Sequence, residues 1–94
     1  MIRLSRQLVL LQNEKELTQA GLKPGQCAEL ASSHQQSSGI RWTFERAFWD
    51  ESAGKLTLLY QDAEDPSNEE RCLTLRLERS GKAYRVAGHH TALP

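Results

Sequence analysis

Cysteine is scarce in this chain, and so are proline, aromatic side chains and any excess of one charge. The two cysteines, Cys27 and Cys72, lie far apart and form no Cys-x-x-Cys spacing. That favours free thiols in a reducing compartment over a disulfide framework, which places the protein in the cytoplasm. Twelve basic residues balance twelve acidic ones, so the chain has no basic footprint for nucleic acid or an anionic membrane, and few aromatic rings are available to stack on bases. The apolar run Leu8 to Leu11 behind the basic opening Met1–Arg6 is much shorter than the core of a signal peptide or a membrane span. Ninety-four residues make a single domain over 1–94 with one modest core, too small for two domains and a catalytic cleft between them.

Motifs that announce chemistry are missing too. There is no internal repeat, glycine-rich phosphate loop, Ser-His-Asp set or nucleophile elbow. The acidic stretch from Asp62 to Glu70 lacks the central glycine and ligand order of a calcium loop and reads as a solvated connector. His89 and His90 point to opposite faces of a strand, and with Cys27 and His34 they form no zinc-finger spacing, so no metal and no cofactor is expected.

What the chain does have is alternation. From Ile40 onward it reads as antiparallel strands, built on leucine with few of the β-branched residues that favour extended chains. Ser80-Gly81 is a turn-type dipeptide, and a two-residue loop there pairs Arg79 with Lys82. Counting outward sets Leu77 against Tyr84, Leu75 against Val86 and Leu73 against Gly88. Leu56, Leu58 and Tyr60 align in turn with Leu77, Leu75 and Leu73. Ile40, Trp42, Phe44 and Phe48 share one parity, and a three-residue loop Ser52-Ala53-Gly54 keeps Phe48 beside Leu58.

The N-terminal residues 1–39 then cover the sheet. Asn13 and Glu16 have capping-box spacing, Gly21 sits at a helix stop and Leu22 can fold back on Leu17, which predicts a short helix from Glu14 to Ala20. Residues 2–12 fit a helical stripe and an alternating strand alike, and leucine and glutamine tilt them to helix. A second helix begins near Pro24 with Cys27, Leu30 and Ala31 inward, and Ser32 to Gly39 reads as a polar exit loop. The expected fold is α+β, with N-terminal helical segments on one face of a four-stranded antiparallel meander over residues 40–90.

This register lists the outer face row by row: Trp49, Thr57, Arg76, Arg85; then Ala47, Leu59, Thr74, Ala87; then Glu45, Gln61, Cys72, His89. Arg76 beside Arg85 is a like-charge pair that two guanidinium forks and Trp49 could turn into a phosphate or carboxylate site; the plainer reading has the side chains splay apart, with Arg76 or Arg85 pairing with Glu78, Glu45 or a partner subunit. Cys72 opposite His89 is a thiol beside a base, with Glu45 or Gln61 to orient the ring, but an open sheet supplies no deep pocket for catalysis. The low stripe Ala47, Leu59, Thr74 and Ala87 reads as a contact surface for a protein partner or a second copy of the chain, against an ordinary monomer surface. The function expected is a noncatalytic protein-binding or regulatory module working through this face as a homodimer. The alternative is a small anionic-ligand binder or minor enzyme on the same face.

Overall fold

A computed structural model describes residues 2–92, with the side chains of 34–38 and 92 outside the description. It contains a six-stranded, all-antiparallel sheet in the order of the chain: β1 (Ile2–Arg3), β2 (Leu8–Leu11), β3 (Trp42–Asp50), β4 (Lys55–Asp62), β5 (Cys72–Ser80) and β6 (Ala83–Ala92). Two helices, α1 (Glu14–Gln19) and α2 (Pro24–Ser38), interrupt the meander between β2 and β3. The expected four-stranded sheet is therefore corrected to six strands, because the N-terminal segment pairs with β3 instead of coiling.

The reason lies in nonlocal pairing. Val9 and Leu11 pair with Trp49 and Ala47, while Leu8 and Leu10 pair with Asp50 and Phe48. Ser5 Oγ accepts from the amides of Gln7 (3.3 Å) and Leu8 (3.0 Å), which bends the chain between β1 and β2. Partners on β3 give this leucine-rich segment backbone bonds and apolar neighbours at once, and that outweighs its slight helical preference.

The helices form where local chemistry asks for them. Asn13 caps α1 by accepting from the Glu16 amide at 3.0 Å, and the Glu16 carboxylate accepts from the Gln12 amide at 2.6 Å. The amide of Gly21 donates to Thr18 and that of Leu22 to Leu17, with Gly21 at φ 80°, so α1 ends in a Schellman turn with Leu22 folded over Leu17. α2 starts at Pro24 and runs to Ser38, so the polar exit loop expected from Ser32 is helix. After Pro24 and Gly25 in its first turn, no proline or glycine occurs until Gly39, which takes φ 74°.

Both helices lie on one face. α1 packs against β2 and α2, and α2 against β3 and β6. Beneath them Leu56, Leu58, Leu73, Leu75 and Leu77 are buried together with Leu11, Leu17, Leu22, Cys27 and Trp49. Each such leucine contributes about 1.5–3 kcal/mol of transfer free energy. Burial also pushes the Cys27 thiol up to about 11 and raises the Tyr60 phenol.

Three local features set the faces. Asp50 accepts from Ser52 Oγ (2.9 Å) and the Ala53 amide (3.2 Å), which draws Glu51 into a four-residue loop and pairs Asp50 with Lys55. The expected three-residue loop is thus lengthened by one, and Trp49, not Phe48, lies on the leucine side. A bulge at Glu45, between the pairs Phe44–Tyr60 and Arg46–Leu59, restores Phe44 and Trp42 to that same side. At the β5–β6 hairpin the loop is Gly81-Lys82, with Ser80 paired to Ala83. Gly81 takes φ 63° at the first turn position, where a mirror-image hairpin turn needs glycine and a Ser80-Gly81 loop would have placed serine. A second bulge at Ala87 then shifts the rest of β6, so Leu75 faces His89 and Leu73 faces Thr91.

Candidate functional site: the open sheet face

Among the described residues no helix lies on the other face of the sheet. Its rows follow from the pairing: Ile2, Leu10, Phe48, Thr57, Arg76, Gly88; then Leu8, Asp50, Lys55, Glu78, Arg85; then Arg46, Leu59, Thr74, His90. Ile2 is 44% exposed, and Leu8, Leu10, Phe48 and Leu59 are half-buried without any covering element. The guanidinium of Arg46 sits 6.0 Å from the centroid of the Phe48 ring, a cation held over an aromatic face. The β1–β2–β3 corner of the open face is therefore apolar, and it grades into a charged field over β4, β5 and β6.

The residues singled out from sequence are redistributed. Arg76 and Arg85 are not direct neighbours: Arg85 pairs with Glu78, as the plainer reading had it, and the Arg76 guanidinium lies across Gly88, where an added Cβ would stand 3.2 Å from its terminal nitrogen. Trp49 is buried on the helix side. Cys72 and His89 are separated, since Cys72 faces Ala92 on the open face while His89 faces Leu75 on the other. The Cys72 thiol donates to the Glu69 carbonyl at 3.3 Å. Of the expected contact stripe, Leu59 and Thr74 are paired neighbours on the open face, Ala47 is fully buried beneath the helices and Ala87 is exposed in the bulge. Where a residue changes face, the cause is a bulge or a loop longer by one residue, either of which exchanges the two faces; Arg76 and Arg85 keep their face and are parted because the two-residue hairpin loop is Gly81-Lys82 instead of Ser80-Gly81.

Sequence reasoning missed Ile2, Leu8, Leu10 and Phe48 as surface residues. A signal was present. Leu8-Val9-Leu10-Leu11 is apolar at both parities, the pattern of a strand with apolar neighbours on both faces, as Leu58-Leu59 is in β4.

A second polar feature lies at the far end of the sheet. Asp62 is 4% exposed, accepts from the Glu64 amide at 2.9 Å and from Arg71 Nε at 2.8 Å, and lines a cleft of about 180 Å³ with Arg41, Glu64 and Arg71. The Glu64 amide foremost, then Arg71, holds its carboxyl below the usual range. Both carboxylate oxygens are engaged by the chain's own connector, so this group clamps the Asp62–Arg71 loop. Other clefts among the described residues measure about 170 to 230 Å³, below the roughly 300 Å³ at which small-molecule pockets begin. Among the described residues no group of three metal-ligating side chains occurs, and no helix is long and apolar enough to cross a membrane. Comparison with protein-family models, with curated proteins and with solved structures finds no match to this chain.

Proposed function

We propose that this protein is a noncatalytic protein-binding module of the cytoplasm, acting through the open face of its sheet. One observation carries the reading: Ile2, Leu8, Leu10, Phe48 and Leu59 gather on a face that neither helix covers. Apolar residues scattered singly need no explanation, but a contiguous corner of them on a sheet, rimmed by charge, is the make-up of a contact surface. The free Cys27 and Cys72 suit a reducing compartment. The anion-binding alternative has less support, because it needs converging guanidiniums and Arg85 is neutralised by Glu78.

The test uses an amphipathic fluorescent dye as a probe of the bare face in dilute protein. Native protein binds the dye, and Phe48→Lys abolishes the binding while leaving the far-ultraviolet dichroism unchanged and lowering the melting temperature by only about 5 °C. Dye binding that Phe48→Lys does not alter would refute the reading.

A further inference from the structure

The charged row of the open face is complementary to its own reverse. Across β3, β4, β5 and β6 it runs Asp50, Lys55, Glu78, Arg85, which is acid, base, acid, base. Reversed, it runs base, acid, base, acid. We infer that the partner seated on the open face is a second copy of this chain, related by a two-fold axis that passes between Lys55 and Glu78, so that Asp50 meets Arg85 of the partner subunit and Lys55 meets Glu78 of the partner subunit. This inference rests on the reading of the open face as a contact surface and names its occupant.

Three further features fit that arrangement. The interface is isologous, as two-fold dimers require, because every contact made by one copy is returned by the other. In the adjacent row the same axis brings Phe48 over the partner subunit's Gly88, where the Arg76 guanidinium occupies the space that a side chain would fill. A ring stacked on that guanidinium gives the central row an aromatic anchor. The area also suffices: four overlapping strands about 4.8 Å apart and eight residues long present roughly 500 Å² per copy. The pair then buries about 1,000 Å², the lower bound for a specific interface, so the dimer is weak and concentration-dependent. Leu10 and Ile2, on β2 and β1, lie beyond the edge of the partner's β6 and stay outside the area this pairing buries.

Within one chain the alternating row already favours itself, since Lys55 neighbours Glu78 and Glu78 pairs with Arg85. The association therefore has to be tested by a change that distinguishes neighbours within a chain from neighbours between chains. Sedimentation of the full chain from about 1 µM to about 1 mM, spanning weak association, is expected to rise from one chain towards two. Lys55→Glu places a carboxylate over the partner's Glu78, and Glu78→Lys places an ammonium group over the partner's Lys55. Each weakens self-association on the order of a hundredfold, the scale of like-charge juxtaposition at an interface.

Mixing the two variants restores a species containing one chain of each, because every cross-axis contact is then between opposite charges, whereas neither chain's internal pairing is repaired by mixing. Melting curves of each variant establish that it is folded. Arg85→Glu, which leaves the Lys55–Glu78 neighbours intact and opposes the partner's Asp50, lowers association independently of the first pair. A wild-type mass that stays at one chain overturns the inference, as does a dimer indifferent to the variants or a mixture that fails to recombine. If that failure accompanies dye binding lost in Phe48→Lys, only the second-copy assignment falls. If dye binding is absent as well, the open-face reading falls with it.

Discussion

Trp49 and Phe48 are adjacent in β3 yet lie on opposite faces of the sheet, so truncating each to alanine tests the assignment of faces directly. Trp49 is 5% exposed and packs beside Val9 and Leu56 beneath the helices. Removing a buried indole costs about 3–5 kcal/mol, from lost transfer energy and the cavity left behind. Phe48 is half-buried on the open face, and its removal costs roughly 1 kcal/mol, in proportion to the smaller area withdrawn from water. A domain of this size has a total stability of about 5–15 kcal/mol, so the first substitution takes a large share of it. At about 4–8 °C per kcal/mol the expected falls in melting temperature are roughly 12–40 °C for Trp49→Ala and about 5 °C for Phe48→Ala. Urea unfolding followed by far-ultraviolet dichroism measures both, in dilute protein so that association through Phe48 does not contribute. If Phe48→Ala proves as costly as Trp49→Ala, Phe48 is the core residue, and neither the four-residue loop after Asp50 nor the bulge at Glu45 exists as described.

Thiol titration of the native protein with an aromatic disulfide should modify Cys72 readily and Cys27 only in denaturant, because Cys27 is 1% exposed with its thiol raised to about 11 while Cys72 is half-exposed. Equal native reactivity would contradict the packing of α2. Asp62 is held below its ordinary value, so the stability it contributes is complete above the unfolded carboxylate value of about 4 and is lost as the pH falls through the lower folded value. Asp62→Asn should flatten the dependence of melting temperature on acid pH without abolishing it, since Asp50 and Glu16 are lowered as well; an unchanged slope would show that the loop clamp is not formed. Asn13→Ala should cost about 1 kcal/mol in chemical unfolding by removing the cap on α1, and a neutral result would mean that the first turn is not held by that side chain.

Parts of this architecture are legible in short stretches of chain because their causes are short-ranged. The Asn13–Glu16 spacing, the stop at Gly21 and the start at Pro24 each act over one turn of helix, and the two helices begin as those signals direct. The pairs Leu56–Leu77, Leu58–Leu75 and Tyr60–Leu73 are also readable, since alternation leaves few ways to match three apolar residues across two strands. The candidate surface was far less legible. Cys72 and His89 shared a row only under an unbroken register, and one extra residue at Ala87 was enough to send His89 to the other face. Trp49 and Phe48 exchanged roles because the Asp50 carboxylate captured Ser52 and Ala53 and lengthened the turn by one residue.

Composition and periodicity by themselves determined that this chain builds an antiparallel sheet with a leucine face. Only the tertiary structure decided that Leu8–Leu11 is a strand, that the sheet has six members and that Ile2, Leu10 and Phe48 share its uncovered side. The physical reason is the period of two in an extended chain. A single inserted residue costs little locally but inverts everything beyond it, and where that insertion falls is settled by partners distant along the sequence.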